Sequence, residues 1–255
     1  MRKLCAVLLW EAGLVRTTFL GVLVALMCGI AAHAVPITGA VDGKSNIFKA
    51  LPGGGGDGIL PYTFDFSAGT EKKLTFSSVS GSSSCCGGFT YSTPDGLGGY
   101  FGATDVFSSG SISGIRGPGS MFLAGVFVDT TAPLGAAPAR LDYFGGLSTS
   151  ASSYTPLLNQ AFFIGDGLTG NGTGSQQEFF APFAANRLVL GFLDGFDFAG
   201  APGFYNDNLG ALNFTADLET VNPVPLPSGM LLILSALGVL GVAGWRRGSG
   251  RASTA

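Results

Sequence analysis

Histidine is all but missing from this chain: His33 is the only one in 255 residues. It sits in Ala32-His33-Ala34, the small-x-small pattern that closes a secretory signal. Upstream lie Arg2, Lys3, Glu11 and Arg16, then an apolar stretch from Phe19 to Ala32. Residues 1–34 therefore read as a cleaved signal peptide, with Ala32 and Ala34 as the cleavage residues. Cys5 and Cys28 leave with it, and Leu26 and Met27 are too bulky to make Cys28 a lipoprotein acceptor. The expected exported region, 35–222, then holds no histidine and only Cys85 and Cys86. A Ser-His-Asp triad, a Cys-His pair and His-ligated zinc are excluded there. Acid–base chemistry would fall to carboxylates alone.

Positive charge is scarce as well. Region 35–222 has seven Lys or Arg against fifteen Asp or Glu, a net of −8. An acidic domain with no basic cluster is no nucleic-acid binder but suits cations. Its 188 residues suit one domain with a sizeable core. The Gly53 to Gly58 run has no following Lys-Ser or Lys-Thr and is no phosphate loop. Glycine is abundant, 42 in all, yet follows no strict period, which rules out collagen.

A sustained 3.6-residue apolar period is absent too, and what is present is β patterning. Tyr62, Phe64 and Phe66 alternate with polar residues, as do Leu74 with Phe76 and Leu212 with Phe214 and Ala216. Met121 to Val128 is a continuous apolar run, as expected of a strand covered on both faces. Arg140 to Phe144, Ala161 to Ile164, Glu178 to Phe183 and Arg187 to Leu193 supply further short strands between Gly-rich turns. The expected fold is all-β, a jelly-roll-like β-sandwich burying an aromatic face. The adjacent Cys85 and Cys86 can close only a strained ring with each other, pair between molecules, or stay free.

The C-terminus carries Val224-Pro225-Leu226-Pro227, an uncharged apolar run to Trp245, and Arg246-Arg247. As a helix, 229–245 would be about 26 Å long, the short end of what crosses a hydrocarbon core. The Arg cluster suits the cytoplasmic side. This order resembles the sorting signal of bacterial PEP-CTERM proteins, in its Val-Pro-Leu-Pro version. The resemblance implies a tail, 223–255, read by an exosortase-type membrane protease. It also implies an exported protein, tethered in the cell envelope or released to the surface, that accompanies exopolysaccharide or biofilm matrix.

The richest polar cluster joins Asp194-Gly195-Phe196-Asp197 to Pro202-Gly203-Phe204-Tyr205-Asn206-Asp207-Asn208. A strand-end carboxylate facing an Asx-rich loop assembles the oxygen ligands that hard cations take. The segment resembles the calcium loop of small bacterial galactose-binding lectins of the PA-I type, in which calcium also coordinates sugar hydroxyls. That resemblance implies calcium as cofactor, held by Asp194, the Phe204 carbonyl, Asp207 and Asn208. The spacing from Asp194 to Asp207 is longer than in those lectins, which leaves Asp197 as the alternative ligand. Their sugar-contacting histidine has no counterpart. The expectation is a non-enzymatic surface or matrix protein that binds glycan through calcium. The rivals are a purely structural matrix protein and a carboxylate-based glycoside hydrolase.

Overall fold

The computed structural model describes residues 35–96, 103–117 and 119–221. The expected signal peptide, with Ala32 and Ala34, lies outside the described residues. So do Val224, Pro225, Leu226 and Pro227, the apolar segment 229–245, and Arg246 and Arg247. Among the described residues no helix is long and apolar enough to cross a membrane.

The architecture is all-β and sandwich-like; the helical elements described are the 3-10 turns Ile47–Ala50, Phe196–Phe198 and Tyr205–Asp207. One sheet runs in the order Val35–Asp42, Leu209–Thr220, Lys72–Cys85, Glu178–Ala181, Ser153–Tyr154, with Thr90–Ser92 added at the end of Lys72–Cys85. A second sheet runs Ala161–Phe163, Ala124–Val128, Arg187–Gly191, Tyr62–Asp65. A small third sheet places Ala199–Gly200 beside Asp105–Val106, and so supports the loop that leaves the second sheet.

The two-residue side-chain period explains the pairing. Leu212, Phe214, Ala216 and Leu218 point inward from the last strand and are all buried. The rings they meet form a chain across both sheets: Tyr62 to Phe214 at 5.0 Å, Phe214 to Phe76 at 6.1 Å, Phe76 to Phe179 at 6.1 Å and Phe179 to Phe162 at 5.4 Å. Each such pair is worth about 0.5–1.5 kcal/mol beyond its buried area. The alternating strands and the doubly buried run stand where the pattern puts them, with shorter ends. Met121 has φ 56, so the regular strand begins only at Ala124.

Lys72–Cys85 extends far beyond its apolar part, through Ser77 to Ser84. Hydroxyls replace apolar packing there: Ser92 Oγ donates to Ser83 O at 3.0 Å, and Ser83 Oγ donates to Met121 O at 3.3 Å. At Gly81 (φ 102) an added Cβ would stand 2.4 Å from Ala211 O, and at Gly210 (φ 82) one would stand 2.3 Å from Ser82 O. Glycine at both places lets the two long strands stay paired to their ends.

Away from the strand ends, Asp95 is set against Asp166. Its Oδ1 accepts from Asp166 N at 3.2 Å, while its Oδ2 is buried with no partner among the described residues. Burial above all, with the Asp166 carboxylate adding to it, pushes Asp95 up to about 6. The folded state keeps a proton that the unfolded chain releases near pH 4. The Asp95 contribution to stability is therefore lost as pH rises from about 4 to about 6 and is level above. Asp95→Asn removes the charge and keeps the shape. It should exceed wild type at pH 8 by on the order of 1 kcal/mol, allowing for partial solvent screening, with the gap closing toward pH 4. Denaturant unfolding at the two pH values checks this; a pH-independent gap contradicts it.

Candidate functional site

Arg187–Gly191 leaves its sheet through the buried Phe192 and Leu193 and delivers Asp194 to the end of the sandwich. Two tight turns follow. Asp197 (φ 51) and Phe198 (φ 56) make the first, and Phe204 (φ 71) opens the second, Tyr205–Asp207. Opposite them, Cys86 (φ 60) turns the chain out of Lys72–Cys85. Left-handed backbone is costly for residues with a Cβ, and such strain gathers where function over-determines the structure. Six non-glycine residues among those described adopt it, and four of them line one cleft: Cys86, Asp197, Phe198 and Phe204.

A polar brace fixes the cleft from behind. Asn208, fully buried, donates through Nδ2 to Asp194 Oδ2 at 2.8 Å and to Gly43 O at 3.1 Å. Gly195 N donates to Asp194 Oδ1 at 2.7 Å. The buried Tyr205 hydroxyl accepts from Asp194 N at 3.0 Å and donates to Phe192 O at 3.3 Å. Asp57 then caps the turn, its carboxylate accepting from Tyr205 N at 2.9 Å and from Asn206 N at 3.2 Å. Gly87 N donates to Asp207 O at 2.8 Å, tying the cysteine turn to the Asx turn.

Burial pushes Asp194 up to about 7, with Asp207 and Asp57 adding to it and the Asn208 and Gly195 donors opposing it. Burial also raises Tyr205. It raises the Cys85 thiol too, with Cys86, Asp194 and Asp207 contributing in the same direction.

The cleft holds about 260 Å³. The Phe196 and Phe204 rings stand at its mouth, 5.5 Å apart, 66% and 52% exposed. Asp194, buried, and Asp197 and Asp207, both exposed, line it, and no Lys, Arg or His is among its lining residues. Apolar ring faces beside carboxylate acceptors suit a ligand with both C–H faces and hydroxyl or ammonium donors. A wider groove of about 320 Å³ at Glu71, Pro156 and Phe183 has one titratable side chain and none of the left-handed residues.

The structure thus brings Asp194, Phe204 and Asp207 to one cleft and joins Asn208 to Asp194 behind it. Asp197 lines the same cleft, exposed, but only Asp194 of the two is bonded to Asn208. Asn208 offers Asp194 its amide nitrogen, while its Oδ1 is buried with no partner among the described residues. An orphaned amide oxygen and a carboxylate pushed toward neutrality are oxygen ligands of the kind a hard cation takes. No group of three His, Cys, Asp or Glu among the described residues is placed to hold a metal. Such an ion would therefore draw on the Phe204 carbonyl, the Asn208 amide and water beside Asp194 and Asp207.

Asp57 and the cysteine pair were not legible as parts of this site, and Phe196 and Tyr205 lay within the candidate segment without an assigned role. Asp57 lies 148 residues from Tyr205; the only local signal was a single carboxylate inside a glycine run.

Fold and cleft together define an all-β, sandwich-like protein with an acidic, aromatic-rimmed cleft at one end. No family model, curated protein or solved structure matches the chain.

Proposed function

We propose that this is a non-enzymatic protein of the cell surface or extracellular matrix whose end cleft binds extracellular glycan. The supporting observation is the pair of exposed rings, Phe196 and Phe204, over three carboxylates on a strained, braced backbone. A sugar would lay a C–H face on a ring and donate its hydroxyls to Asp197 and Asp207. In this reading the sandwich is of jelly-roll type, as the lectin resemblance implies. Calcium would be held by Asp194, Phe204, Asp207 and Asn208, and would supply direct coordination of sugar hydroxyls. Export by the signal peptide and sorting by an exosortase-type protease complete the proposal, placing the chain beside exopolysaccharide.

Retention on immobilised matrix polysaccharide, with calcium and with chelator, tests the reading. Binding should need calcium and fall about tenfold in the Phe196→Ala, Phe204→Ala double variant, the combined weight of two ring contacts. Calcium should also stabilise the protein by about 2.7 kcal/mol at a hundredfold excess over its Kd. That thermal shift should vanish in Asp207→Ala. Binding that survives chelation defeats the calcium bridge. Absence of any glycan binding leaves a purely structural matrix protein.

A further inference from the structure

The glycan reading makes no use of the two cysteines, yet both line the cleft. Cys85 ends the long strand and is buried; Cys86 begins the turn and is exposed. Closing a disulfide between them is opposed by geometry. Neighbouring Cα atoms are about 3.8 Å apart across a trans peptide. Disulfides normally need about 4.4–6.8 Å. The turn cannot shift freely to accommodate a ring, because Gly88 N is bonded to Cys85 O at 3.0 Å and Gly87 N to Asp207 O at 2.8 Å. Cys85 is also held as a thiol by its burial and by the charges of Asp194 and Asp207, which makes it a poor second nucleophile. Cys86 is the sulfur that solvent-borne reagents can reach.

We propose that Cys86 is a thiolation site selective for small cationic disulfides, and that the attached group lies in the cleft. The Cys86 thiolate attacks one sulfur of the reagent. A Cys86 Sγ–S bond forms as the reagent's S–S bond breaks, and the other half leaves as a thiolate that takes a proton from water. The reagent is the only oxidant, and one of its two sulfurs leaves reduced. Selectivity comes from Asp194, Asp197 and Asp207, which line the cleft with no basic side chain among its lining residues. In water each ionised carboxylate about 8 Å away roughly doubles the local concentration of a unit cation, so above about pH 7, where Asp194 is ionised as well, three give on the order of tenfold. The preference should fade with salt, because the screening length is about 10 Å at 0.1 M and about 3 Å at 1 M.

The test treats the full chain, in chelator at about pH 8, with cystamine, a dication, or with oxidised glutathione, an anion, at equal concentration. Tryptic cleavage after Lys73 and Arg116 gives one peptide with Cys85 and Cys86 but neither Cys5 nor Cys28. That peptide should gain a single cysteamine group, at least tenfold faster than it gains glutathione at low salt, with the gap narrowing at high salt. The exposed Cys86→Ser change should abolish the adduct, and Cys85→Ser should keep it. The proposal is overturned by loss of two hydrogens as the main product, by an adduct that persists in Cys86→Ser, or by equal rates for the two reagents. No sugar enters the experiment, so its outcome is independent of whether the cleft binds glycan.

Discussion

Tyr205→Ala should cost about 3–5 kcal/mol of folding stability, the range for emptying a buried aromatic site. Tyr205→Phe should cost about 1–3 kcal/mol, the range for orphaning a buried hydrogen-bonding group. The difference separates two roles of one side chain. The ring is fully buried, and its packing is tight enough that a Cβ on Gly58 would stand 2.5 Å from Tyr205 Cβ. Alanine therefore leaves a cavity that the surrounding glycine loop cannot fill without moving Asp57. The hydroxyl accepts from Asp194 N and donates to Phe192 O, so phenylalanine keeps the volume and strands a buried N–H. Denaturant unfolding of both variants decides the matter. Equal losses would mean that ring volume does not hold the cleft together.

Asn208→Ala is the second large effect, about 2–4 kcal/mol near neutral pH, because two buried acceptors lose their donor at once. Those acceptors are Asp194 Oδ2 and Gly43 O. The loss should also depend on pH. In the wild type, burial pushes Asp194 up to about 7 against the opposing pull of Asn208. The folded state thus keeps a proton that the unfolded chain gives up from about pH 4. Its contribution is complete in acid and is lost as pH rises toward about 7. Without the Asn208 donor the carboxylate is pushed higher still, so the decline continues to higher pH. The gap between variant and wild type should narrow toward pH 4 to 5, where the loss at Gly43 O remains, and be widest above 7. Unfolding in chelator across that range checks it, and a constant gap would show that Asn208 does not act on Asp194.

The strands of this protein were legible where side chains alternate without interruption. Leu212, Phe214 and Ala216 announce the last strand because each inward position carries an apolar group. Val35–Asp42 escaped notice because its inner face reads Ile37, Gly39, Val41. Glycine breaks the pattern there for a tertiary reason: a Cβ on Gly39 would stand 2.6 Å from the Tyr62 ring. The serine half of Lys72–Cys85 was hidden for a related reason, since the buried Ser83 hydroxyl is satisfied by the Met121 carbonyl of another segment.

The sequence by itself determined an imidazole-poor, acidic, β-patterned chain. It also placed Asp194 and the Asx loop within one short stretch, where local turns bring them together. Which distant groups meet them was decided only by the sheet. Val35–Asp42, Leu209–Thr220 and Lys72–Cys85 pair so that Asp42 faces Ala211 and Leu209 faces Ser84. That register carries Gly43, Asn208 and the cysteine pair to the same end. Strand register follows from burying whole faces, a sum over many side chains, and no short stretch of sequence contains it.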